Sequence, residues 1–151
     1  MLGEIKDYEI ILALITKAKK VYMSRPNEVF GMCQAFILTI SENQEIMNSV
    51  SNLIIKEFGL AKLEEFKETI SDTGDWIRWI IPEFNFCGLG GDISLFDHIK
   101  EQGFSKSQIK EYPDIVDGMY WWSKDDRKSR MNAFDSLIHL YRSKMDRLLG
   151  L

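Results

Sequence analysis

The chain has 151 residues, 45% hydrophobic and 28% charged, with three prolines and two cysteines; this suits one domain over residues 1–151 with a sizeable core and excludes a disordered protein. No apolar run approaches the roughly 20 residues that span a bilayer, and Glu4, Asp7 and Glu9 stand where a signal peptide needs a basic and then an apolar stretch, so a cytoplasmic protein without membrane contact is expected. The net charge of −4 hides a polarity, because residues 1–123 carry 12 basic and 19 acidic side chains whereas residues 124–151 carry 7 and 4.

The first periodic segment runs from Glu4 to Tyr22, with Ile5, Tyr8, Leu12, Ile15 and Ala18 spaced for one helical face. Ser24-Arg25-Pro26-Asn27 interrupts it, since proline disfavours helix at the preceding residue and suits a helix start. A second helix is predicted from Asn27 or Glu28 to Ile40; its face of Val29, Phe30, Cys33, Phe36, Ile37 and Ile40 is nearly all apolar and belongs in the core. Ser41 and Gln44 have the spacing of a capping box, which opens a third helix. That helix turns Ile46, Met47, Val50, Ile54 and Phe58 inward and closes on Gly59, a residue suited to a left-handed conformation. A fourth, Ala61 to Ile70, sets Leu63, Phe66 and Ile70 against a charged face of Glu64, Glu65, Lys67 and Glu68.

A short segment follows from Trp76 to Ile81, ended by Pro82 and the irregular run to Gly91. Asp92 is placed to cap a helix from Ile93 to Gln102, and a brief one spans Ser105 to Glu111. Ile115 to Trp122 has strand-like propensity broken by Asp117-Gly118, so one short strand or hairpin is allowed there. The last helix, Asp125 to Leu149, places Met131, Phe134, Ile138, Tyr141, Met145 and Leu148 at three-four spacing, as bundle packing or a homodimer seam requires. The expected fold is therefore a mainly α, single-domain bundle of six to seven helices.

No constellation carries catalysis. Asp97 and His98 are adjacent, about 100 degrees apart on a helix, and do not form an oriented acid–base pair. His98, His139, Cys33 and Cys87 lack any zinc-like spacing, so no metal and no cofactor is expected, and the two thiols read as reduced. Cys87-Gly88-Leu89-Gly90-Gly91-Asp92 is not a phosphate loop: it lacks the Gly-Lys-Ser/Thr ending, and Asp92 would repel the phosphate. The paired acids Glu64-Glu65 and Asp125-Asp126 read as solvated helix surface.

Aromatic and basic residues are the better candidates for a binding site. Trp76 and Trp79 bracket Arg78 in one segment, and Tyr120, Trp121 and Trp122 precede Arg127 and Arg130 in another. Rings and guanidinium groups of this kind stack on one another, on bases, or on a partner's anchor residues. Tyr120 and Trp122 point opposite to Trp121 in an extended segment, so part of this set belongs to the core.

The succession Gly31-Met32-Cys33-Gln34-Ala35, then Ile81-Pro82-Glu83-Phe84, then Tyr120-Trp121-Trp122 followed by Asp126 and Arg130 resembles a group of small proteins encoded by bacteriophages and prophages. Ser123 stands where that pattern usually has proline. The resemblance implies a viral accessory protein in the host bacterial cytoplasm. Its expected role is non-enzymatic binding and inhibition of a host or defence protein through Tyr120, Trp121, Trp122, Arg127 and Arg130, with Trp76, Arg78 and Trp79. Alternatives are a nucleotide-sequestering protein using the same rings and arginines, and nucleic-acid binding through the basic last helix.

Overall fold

The computed structural model describes residues 3–25, 32–70, 76–81 and 127–150; the side chains at 32, 33, 78 and 127–130 and all remaining residues lie outside that description. The described chain is mainly helical. It forms α1 (Ile5–Met23), α2 (Met32–Glu42), α3 (Gln44–Phe58), α4 (Leu60–Thr69), the single turn α5 (Ile77–Ile80) and α6 (Arg127–Leu149). There is no strand among the described residues, and the segments expected at 93–102, 105–111 and 115–122 fall outside them.

α1 is the hub, packed against α2, α3 and α6. Contact with three neighbours buries a wide arc: Ile11, Leu14, Ile15, Ala18 and Tyr22 are inaccessible. The expected face is therefore rotated, since Ile5, Tyr8 and Leu12 are only half-buried at its edge. Both α3 and α6 run antiparallel to α1. Lys56, near the end of α3, reaches Glu4 and Asp7 at the start of α1. The Phe134 ring, early in α6, lies 5.6 Å from Tyr22, whereas Tyr141, later in α6, meets Tyr8 edge-on at 5.8 Å. One end of the bundle thus gathers the start of α1, the end of α3, the start of α4 and the end of α6.

The helix boundaries correct two expectations. α2 continues through Ser41 to Glu42, so Ser41 caps nothing; Asn43 caps α3 instead, its Oδ1 accepting the Ile46 N–H at 3.0 Å. A single non-helical residue thus joins α2 to α3. Gly59 does have positive φ, but at φ 91° and ψ 171° the chain extends rather than curling left-handed, and α4 starts at once.

Within the helices the inward sets are mixed. Val50, Leu53 and Ile54 of α3 are buried, Ile46 and Met47 half-buried, and Phe58, expected inside, is exposed. Leu63 and Phe66 of α4 are buried, with Ile70 half-buried. In α6, Phe134, Leu137, Ile138 and Tyr141 enter the core while Leu148 does not. Each fully buried side chain of this size contributes about 1.5–3 kcal/mol. Phe134 joins three helices, its ring also lying 5.9 Å from Phe36 of α2. Thr39, the buried hydroxyl of α2, donates to the Ala35 carbonyl at 2.7 Å.

Candidate functional site

Tyr120, Trp121 and Trp122 lie outside the described residues. Arg127 and Arg130 sit in the first turn of α6, at the end of the bundle where α1 finishes. The other expected group is at the opposite end. Trp76 precedes α5 and is buried, its ring meeting Phe66 edge-on at 5.0 Å, and its Nε1 has no hydrogen-bond partner among the described residues. Arg78 lies within α5. Trp79 is half-buried, 6.2 Å from the Phe58 ring, with Lys62 Nζ 4.6 Å above it. Since α1 alone, at 19 residues, is about 28 Å long, Trp79 and the Arg127–Arg130 turn do not meet in one cluster.

The α3–α4 corner is where apolar surface opens to solvent. Leu60 is 63% exposed, Ile55 41% and Phe58 38%, and Trp79 backs Phe58 from α5. Leu148 and Leu149 are exposed at the same end of the bundle, and among the described residues Met23 is the large apolar side chain exposed at the other. Gly59 produces the corner. Its backbone conformation stops α3 and redirects the chain within one residue, so that side chains on both sides of the bend point away from the core. Contiguous apolar surface rimmed by polar groups marks interaction sites on soluble proteins. The sequence signal for this corner was weak but present. Ile55 falls outside the inward set of α3, and Leu60 precedes the predicted start of the fourth helix.

Electrostatics at this end are set by a buried carboxylate. Asp7 Oδ2 accepts the backbone N–H groups of Gly3 at 3.3 Å and Glu4 at 3.1 Å, and Oδ1 accepts from Lys56 Nζ at 2.7 Å. Burial pushes the Asp7 carboxyl up, but the Lys56 ammonium and the two backbone donors outweigh it and hold it below its ordinary value. The bond from Asp7, reinforced by Glu4, raises Lys56 in turn. These groups fix the start of α1 to the end of α3, and their donors and acceptors are occupied by one another.

Among the described residues no group of three or more His, Cys, Asp and Glu side chains is arranged to hold a metal ion, and His139 is exposed on α6. No helix there is long and apolar enough to cross a membrane. No family model, curated protein or solved structure matches the chain.

Proposed function

We propose that the chain is a non-enzymatic binding protein, of the phage accessory kind its motifs resemble, which docks onto a host or defence protein and inhibits it. The α3–α4 corner forms part of the docking surface. The observation that carries this reading is the exposure of Ile55, Phe58 and Leu60 on consecutive helices beside the half-buried Trp79. Leaving such side chains in water forgoes about 25 cal/mol for every Å² of apolar surface. Burying them against a partner recovers that free energy, and an aromatic ring with a cation above it is a common interface anchor. Lys62 over Trp79 supplies that pair. Tyr120, Trp121, Trp122, Arg127 and Arg130 belong to the same proposal as a second contact region.

The test is capture of a partner from a bacterial lysate by the tagged protein, compared across two variants. Phe58→Glu with Leu60→Glu is expected to abolish capture while circular dichroism and the melting temperature stay near wild type. Trp121→Ala with Arg130→Glu measures the second region. If both variants capture the same proteins as wild type, the docking proposal fails.

A further inference from the structure

A separate groove lies between α1, α3 and α6. Its volume is about 480 Å³, within the roughly 300–1,000 Å³ of small-molecule sites. Leu12 and Ala13 of α1 and Ile46 of α3 give it an apolar floor, and Lys17, Lys20 and Arg142 project into it. Among the described residues none of these three side chains has an ion pair or a hydrogen bond, as is also the case for Lys6, Lys67 and Arg147, but only Lys17, Lys20 and Arg142 gather at one groove. Lys17 and Lys20, three residues apart on one helix, are close neighbours of like charge, which is unfavourable unless an anion lies between them.

Charge is also segregated across the groove. The two acids that line it, Glu9 and Glu45, stand on the edge shared with a smaller cleft between α1 and α3. Leu12, Thr16, Lys17, Lys20 and Arg142 belong to the larger groove alone. The three cations, Thr16 and Leu12 therefore line the part of the groove beyond the smaller cleft, whereas the floor residues Ala13 and Ile46 border the carboxylates as well. Lys17 and Lys20 come from the part of the chain, residues 1–123, that is acidic in sum, and Arg142 comes from the basic last helix. We infer that the groove binds a small organic anion, its apolar body lying on Leu12, Ala13 and Ile46 and its carboxylate, sulfonate or phosphate held by Lys17, Lys20 and Arg142. This site is independent of the docking corner.

The probe is 8-anilinonaphthalene-1-sulfonate, an aromatic body with one sulfonate, whose fluorescence rises on leaving water. Titration of the intact protein is expected to saturate, to weaken as sodium chloride rises from 0.05 to 0.5 M, as exposed cations require, and to lose at least tenfold in affinity in Lys17→Glu/Lys20→Glu/Arg142→Glu. The milder Lys17→Gln/Lys20→Gln/Arg142→Gln, with circular dichroism on both, guards against a folding defect and should also weaken binding. The corner variant Phe58→Glu/Leu60→Glu should bind the probe as wild type does. Uncharged N-phenyl-1-naphthylamine should not displace it. Binding unchanged by the charge variants, binding lost only in the corner variant, or equal competition by the uncharged probe would each overturn the groove, and none of them bears on partner capture.

Discussion

Asp7 shows how one side chain sets the local order of this protein. It accepts from two backbone N–H groups ahead of α1 and from Lys56 of α3, so its negative charge is used three times. Asp7→Ala is expected to cost about 1–2 kcal/mol, the range of a lost helix-start acceptor, measured by urea unfolding at pH 7. The sign of the pH dependence follows from the direction of its shift. The folded carboxyl titrates below the unfolded value of 3.8, so its stabilisation is fully present above that value and is lost as pH falls through the folded one. The gap in stability between wild type and Asp7→Asn should accordingly be constant from pH 5 to 7 and close below about pH 4; a gap that widens on acidification contradicts the assignment. Nothing in the local spacing marks Asp7 as buried, because a charged residue on an amphipathic helix reads as solvated surface. The partner that makes its burial tolerable, Lys56, lies 49 positions away in sequence. Phe58 has the opposite history: its place on the apolar stripe of α3 is readable, but whether a stripe's last residue is covered depends on what lies beyond the helix end.

At the level of elements, the helices are legible where periodicity runs long, and their caps are legible only in part. Ser41 with Gln44 and Asn43 alone are competing start signals two residues apart, and the chain uses the second. Continuing α2 through Ser41 gains helical hydrogen bonds, and Asn43 still satisfies the Ile46 N–H. Asn43→Ala is therefore expected to cost about 1 kcal/mol, whereas Ser41→Ala, at an exposed helical position, should change stability by less than about 0.5 kcal/mol. Equal effects in thermal unfolding would return the cap to Ser41. Gly59 is the other decisive position. With φ at 91° and ψ at 171° it occupies a region essentially closed to residues with a Cβ, and such strain costs roughly 1–3 kcal/mol. The space around it is open, so Gly59→Ala fails through the backbone and not through a clash. Its measured cost should exceed that of an alanine placed at Gly3, which has no positive φ. The burial arc of α1 was not readable from spacing, because three packing neighbours shift its centre towards Ile11 and Leu14.

Across the whole molecule, the arrangement around α1 decides which parts of the expected site meet. Antiparallel α3 and α6 carry Trp79 and the Arg127–Arg130 turn to opposite ends, a separation invisible in a sequence where both sets are aromatic and basic. The same arrangement bears on the last helix as a dimer seam. Phe134, Ile138 and Tyr141 of the three-four stripe are spent within the chain, Phe134 against Tyr22 and Phe36, and Tyr141 against Tyr8. A residue buried inside one chain stabilises it at any protein concentration, whereas a residue in a seam between copies contributes by mass action. Phe134→Ala is thus expected to cost about 3–5 kcal/mol, with the same difference from wild type at 1 and 100 µM protein in chemical unfolding. If the penalty instead grows with concentration, α6 meets a second copy through this stripe and its packing on α1 is not the resting arrangement. Constancy of the penalty leaves association to surfaces other than this stripe, among which the described residues offer the α3–α4 corner and the exposed end of α6.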